Sequence, residues 1–198
     1  MRTYLDCYPC FLRQALEAAR LIGAGDDRQK AILDQALEVL KQSELSNTPP
    51  EIGAEIHRLV RQEHAGGDPY RAAKETSTRQ ALACYPRLRE RAREADDALD
   101  AAVRLSIAGN IMDLGPDQQY ELEQVIERVM EQPFAVYDMA PFRQALAETD
   151  RVLYLADNAG ETVFDRLLIE VLNKPVVYAV KGGPVLNDAT LEDARAAG

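Results

Sequence analysis

The sequence predicts an α/β protein, with a helical N-terminal part followed by a Rossmann-like parallel sheet and flanking helices. Three observations carry this. Apolar residues recur at three-to-four spacing through most of residues 1–132. Two short apolar runs, Val152 to Ala156 and Val176 to Val180, then read as buried strands. A helix-spaced segment from Glu161 to Leu172 joins them with short connections, so the strands pair in parallel with a right-handed crossover.

Each element follows from local pattern. Phe11, Leu12, Ala15, Leu16 and Ala19 form a first stripe, which Gly23 and Gly25 end, with Asp26 placed to cap the next helix. Ile32, Leu33, Ala36, Leu37 and Leu40 form a second. Thr48-Pro49-Pro50-Glu51 feeds a third helix, since proline is tolerated in the first turn, and Ile52, Ile56, Leu59 and Val60 give its apolar face. Gly66 to Pro69 breaks that helix, and another runs from about Tyr70 to Leu82. Pro86 restarts the chain into a charged stretch, Arg87 to Asp100, that reads as a solvated helix face. Leu99, Ala102, Val103 and Ile107 are expected to be buried. Gly109 to Pro116 reads as a loop, and a helix follows from Asp117 to Glu131. Phe134 to Tyr137 is expected to be a short strand and Met139 to Glu148 a helix. The predicted division is a mainly helical domain, 1–132, and an α/β part, 133–198.

Composition narrows the function. Of 198 residues 46% are hydrophobic, which supports a sizeable core. Basic residues number 23 and acidic ones 33, a net charge of −10. That opposes a general nucleic-acid surface and an anionic membrane. An anionic substrate then needs local positive charge. The three cysteines are an odd number, the first residues lack an apolar leader, and no run reaches membrane-span length. A cytoplasmic protein is expected.

The chemistry concentrates at the strand ends. Asp157-Asn158-Ala159-Gly160-Glu161 follows the first strand and opens a helix. Lys181-Gly182-Gly183-Pro184-Val185-Leu186-Asn187-Asp188 follows the second. Open α/β sheets bind ligands at such carboxyl ends, and a helix N-terminus suits phosphate. Parallel strands carry both motifs to one edge. Two aspartates and an asparagine offer hard oxygen donors, which fit Mg²⁺ or Mn²⁺ better than a thiolate-loving ion. Either motif alone reads more readily as a turn, because Asp, Asn and Gly are ordinary turn formers. Both together, one crossover apart, favour a site.

These motifs resemble those of the damage-control phosphatases, a metal-binding family once called a domain of unknown function. The likeness is to its stand-alone prokaryotic branch. Cys7-Tyr8-Pro9-Cys10, Asp68-Pro69-Tyr70 followed by Lys74, and Gly109-Asn110 followed by Asp113 extend it over nearly the whole chain. The resemblance implies that Asp157, Asn158 and Asp188 hold the cation, with Co²⁺ or Ni²⁺ as further candidates. It implies that Glu161 and Lys181 face substrate or phosphate, and that small phosphorylated metabolites are hydrolysed. Asn110, Asp113, Gly160, Gly182, Gly183 and Asn187 are the expected substrate-binding positions. Members of this branch usually continue further. The sheet is therefore expected to be incomplete at the C-terminus, lacking phosphate-site elements, with an exposed edge open to association with another chain.

Other readings stay open. A metal- or ligand-binding module without turnover is the main alternative. Cys7 and Cys10 are read as buried thiols near a helix start, against a zinc or redox role in which Cys84 would join them. His57 and His64 are read as surface residues, and Asp165 as a surface or packing-edge residue.

Overall fold

The computed structural model describes residues 1–64, 67–111 and 119–198. The chain divides into two compact units, residues 1–72 with 184–186 and residues 73–183 with 187–198. This partition is by packing, whereas the change of element type near Pro133 is a matter of sequence pattern.

The first unit is built on three helices, α1 (Cys7–Leu21), α2 (Asp26–Gln42) and α3 (Pro49–Glu63), each packed on the other two. Their apolar stripes meet in a core of Phe11, Ala15, Ala18, Ala19, Ile32, Ala36, Leu40, Ile52, Ile56 and Val60. Gly23 takes a left-handed φ of +69° between α1 and α2, a conformation glycine adopts without steric cost. The Thr48 side chain caps α3 and Glu51 reaches back to the Thr48 N–H, a reciprocal capping box. His57 is buried at 2% exposure, contrary to the surface expectation. Its position one turn beyond Ile52–Gly53 and beside Ile56 and Val60 puts it on the core stripe, with its ring edge-on to Tyr70.

The second unit holds α4 (Arg71–Glu94, whose first two residues group with the other unit), α5 (Ala98–Ile111), α6 (Gln119–Glu131), α7 (Met139–Glu148), β1 (Val152–Leu155), α8 (Thr162–Leu172), β2 (Val176–Ala179) and α9 (Leu191–Ala197). The strands pair in parallel, Val152 with Val176 through Leu155 with Ala179, and α8 makes the crossover. α8 packs on α5, and Val163, Phe164 and Leu167 join Ala81, Tyr85, Leu88 and Leu105 in the main core. The strands' other positions, Leu153, Leu155 and Val177, are exposed at 64%, 72% and 54%, so one face of this sheet is open. Parallel sheets normally bury both faces. Among the described residues no helix is long and apolar enough to cross a membrane.

Three local expectations are corrected. Pro86 does not restart the chain: it lies inside a continuous α4. Pro86 and Leu82, the residue whose carbonyl loses its helical partner, are both exposed. Ala81, Tyr85, Leu88 and Ala92 hold both halves of the helix on one core. Gly109 and Asn110 are not loop residues but the last turn of α5. Glycine is needed at 109 for close approach, because a Cβ there would lie 2.7 Å from Phe164 Cγ. Phe134 to Tyr137 forms no strand. Phe134 instead stacks on Tyr137 and lies under the Arg104 guanidinium, 4.5 Å from the ring centroid.

Candidate functional site

Parallel pairing brings both glycine-bearing motifs to the carboxyl edge of the sheet, and backbone hydrogen bonds then lace them together. The Ala156 N–H donates to the Ala179 carbonyl at 2.9 Å, the Ala159 N–H to Asn187 at 2.9 Å and the Ala189 N–H to Asp157 at 2.7 Å. Asn158 and Asp188 form an antiparallel bridge, and Lys181 and Thr190 a parallel one. Asp157, Asn158 and Asp188 are thus neighbours through their main chains. Gly160 fits only because it lacks a side chain: a Cβ would sit 2.9 Å from Ser77 Cβ on α4.

Asn110 joins the site from α5. Its amide donates to Asp157 Oδ2 at 3.3 Å and to Glu161 Oε2 at 3.1 Å. One carboxamide therefore aligns two carboxylates that the sequence separates by four residues. The expected substrate-binding position Asn110 thus stands against both carboxylates at this edge. Asp113, the other expected contact from this segment, lies outside the described residues. Lys181 Nζ is 3.3 Å from Asp188 Oδ2, with the lysine side chain half exposed and the aspartate largely covered. Gly182 and Gly183 face open space, with nothing within 4 Å of where a Cβ would stand. Asn187 takes part through its backbone carbonyl.

The electrostatics follow from crowding carboxylates into a partly desolvated edge. Burial pushes the Glu161 carboxyl above its ordinary range; the Asn110 amide pulls it down, while Asp165 and Asp157 push it up. Burial also raises Asp188, the Lys181 ammonium opposes this, and the charge of Asp157 adds to the rise. Two acids held against mutual repulsion suit a cation. Among the described residues, no group of three or more His, Cys, Asp or Glu side chains gathers as a metal cluster. Asp157, Asn158 and Asp188 could hold a cation only with the asparagine oxygen as third donor.

Several residues that support the site were not singled out for it by the sequence reading. Asp165, expected at the surface or at a packing edge, is fully buried at 1% exposure. It accepts hydrogen bonds from Tyr154 and Tyr178, partners in the strand register, and from Ser106. A tyrosine in the same place in each of two aliphatic strands was the available signal. Lys74, buried at 2%, pairs with Asp193 at 2.6 Å. Asp193 in turn caps α9 by accepting from the Thr190 N–H at 2.8 Å and its hydroxyl at 2.6 Å. Burial acts to raise the Asp193 carboxyl, but these donors and Lys74 outweigh it and hold it below its ordinary range. The base of the second motif is thereby tied to α4. The three cysteines are free thiols, Cys7 and Cys84 partly buried and Cys10 exposed.

Comparison with known proteins gives a consistent assignment. The model of the damage-control phosphatase ARMT1-like domain matches residues 3–197. The chain is 33% identical over 201 residues to the uncharacterized protein MJ0202 of Methanocaldococcus jannaschii, covering 97% of this chain and 66% of that protein. It is 29% identical to a damage-control phosphatase of Archaeoglobus fulgidus, covering 96% of this chain and 68% of that one. The crystal structure of the DUF89 family protein PH1575 from Pyrococcus horikoshii shares the fold, with a TM-score of 0.85 at 24% identity over 100% of this chain and 70% of that one. The chain spans about two thirds of the length of the curated relatives it matches.

Proposed function

Because this chain belongs to the family of the damage-control phosphatase ARMT1-like domain, we propose that its site hydrolyses small phosphorylated metabolites with the help of a divalent cation. The observation that carries the reading is the lacing of the two motifs, which sets the Asp157-Asn158 and Asp188 positions side by side at the sheet's carboxyl edge. Asp157, Asn158 and Asp188 would hold the ion, and their hard oxygens favour Mg²⁺ or Mn²⁺. When bound, the cation polarises a phosphoryl oxygen and offsets its charge.

The chain's own residues account for the rest. Lys181, half exposed and within reach of Asp188, turns its ammonium toward the phosphoryl group. The N-terminus of α8 adds partial positive charge at the same edge. Asn110 fixes Asp157 Oδ2 and Glu161 Oε2 in one orientation. Glu161, with its pKa raised by burial, is suited to hold or pass a proton at Oε2 and to orient the attacking water. Gly182 and Gly183 leave open space for the substrate to approach the backbone.

The test is phosphate release from a panel of sugar phosphates and an aryl phosphate, with Mg²⁺, Mn²⁺, Co²⁺ or Ni²⁺ and with chelator. Release that needs metal and vanishes in Asp157→Ala and Asp188→Ala is the expected result. Release that persists in chelator overturns it. Mn²⁺ binding lost in Asp157→Ala, but without turnover, selects the second reading, a binding module.

A further inference from the structure

We propose that Asp165 is a positioning residue, which fixes the turn carrying Asp157 and Glu161 by locking the first turns of α8 to both strands and to α5. The inference rests on the reading of that turn as the functional site.

The geometry is a two-rung ladder between α5 and α8. The upper rung is Asn110 to Glu161, at 3.1 Å. The lower is Ser106 to Asp165 Oδ1, at 3.3 Å. Ser106 precedes Asn110 by four residues and Asp165 follows Glu161 by four, so each pair lies one helical turn apart on a common face. The lower rung also reaches the sheet. Tyr154 OH donates to Asp165 Oδ1 at 2.6 Å and Tyr178 OH to Oδ2 at 2.5 Å. The two tyrosines are register partners, their rings 5.4 Å apart. Tyr154 stands three residues before Asp157, and Tyr178 three before Lys181. One buried carboxyl thus ties four elements immediately behind both motifs.

A carboxyl at 1% exposure is costly to bury, and replacing it together with its hydroxyl donors by apolar groups would fill the same space without that cost. What the carboxyl adds is direction. Its two oxygens accept from fixed angles, which apolar contact does not specify. Sliding α8 along the strands would break these bonds together, and with them the alignment of Glu161 with Asp157.

Amide hydrogen exchange on the intact, metal-free chain tests this. The reporters are the Ala156, Ala159 and Ala189 amides, whose bonds lace the two motifs. Tyr178→Phe, which removes only a hydroxyl, is expected to speed their exchange by about ten- to hundredfold while the amides of α4 keep their protection. Asp165→Asn, which keeps the shape and one acceptor, restores part of what Asp165→Ala loses. Tyr85→Phe, which removes a hydroxyl bonded to Glu170 elsewhere in the same unit, leaves the three reporters unchanged. Unchanged exchange in Tyr178→Phe, or a uniform rise through the unit, overturns the proposal. Mn²⁺ titration is run in parallel. Weaker binding in Tyr178→Phe than in wild type supports the proposal, and equal affinity overturns it. Absence of binding in wild type overturns the metal reading, and the exchange pattern still decides the role of Asp165.

Discussion

Replacing Gly160 with alanine tests how tightly the first motif is held. The added Cβ would lie 2.9 Å from Ser77 Cβ and 3.4 Å from the Ser77 carbonyl carbon. Ordinary contact between such carbons is about 3.5–4.0 Å, so α4 and the motif must separate by roughly half an ångström or more. Neither neighbour is the end of a flexible chain, and the strain falls on backbone. Inserting a methyl group into a well-packed site costs typically about 1–3 kcal/mol. For a chain of this size that lowers the midpoint of thermal unfolding by about 2–4 °C per kcal/mol. The same displacement moves Asp157 and Glu161, so Mn²⁺ affinity and any phosphate release fall with stability. The decisive assay is a double-mutant cycle with Ser77→Gly, read by urea unfolding. Ser77→Gly alone costs about 1 kcal/mol or less as a helix glycine. In the Gly160→Ala background it removes the closest clashing atom and is expected to be neutral or stabilising. A Gly160→Ala chain as stable as wild type, or costs that simply add, refutes the argument from close approach.

Three further outcomes are expected. The buried His57 ring has its pKa pushed down to about 4, first by desolvation and then by the Arg61 charge. Its folded pKa lies below the unfolded one, so the stability it permits is present above about pH 6.5 and is lost as pH falls toward 4, in the limit by about 3 kcal/mol. His57→Leu should therefore flatten the acid limb of the stability curve measured by urea unfolding, and an unchanged limb counts against this. Lys74→Met leaves the Asp193 carboxylate without its ion-pair partner in a nearly buried place and is expected to cost about 3–5 kcal/mol. Lys30→Ala breaks the exposed pair with Asp34 and costs about 1 kcal/mol or less, so equal effects in the two variants would refute the burial argument. Asn110→Ala frees Asp157 and Glu161 from their common amide and should lower phosphate release with little change in unfolding midpoint, since Asn110 is exposed.

The strand–helix–strand motif was legible because it is local. Apolar runs, their spacing and the polar residues that end them are all written within about one supersecondary unit. The same locality made the three N-terminal helices and the Thr48-Pro49-Pro50-Glu51 helix start readable. Pro86 and Gly109 misled for a common reason. Each is a helix breaker by propensity, and each is overruled by packing: Pro86 by the buried stripe on both sides of it, Gly109 by the Phe164 ring pressed against it.

By itself the sequence determined the pairing of two motifs at one sheet edge, because parallel strands leave no other place for their carboxyl ends. It determined the oxygen-donor character of that edge, which is carried by the residue types. Only the tertiary structure decided which side chains hold that edge in place. Lys74, Ser106 and Asp165 reach it from helices whose rotation and tilt are set by packing of distant apolar faces, and no local pattern records that rotation; Asn110 was expected at the site, but its bonds to Asp157 and Glu161 were not. Asp165 shows this most directly. Its position in an amphipathic helix gave no sign that two tyrosine hydroxyls, one from each strand, would be waiting beneath it.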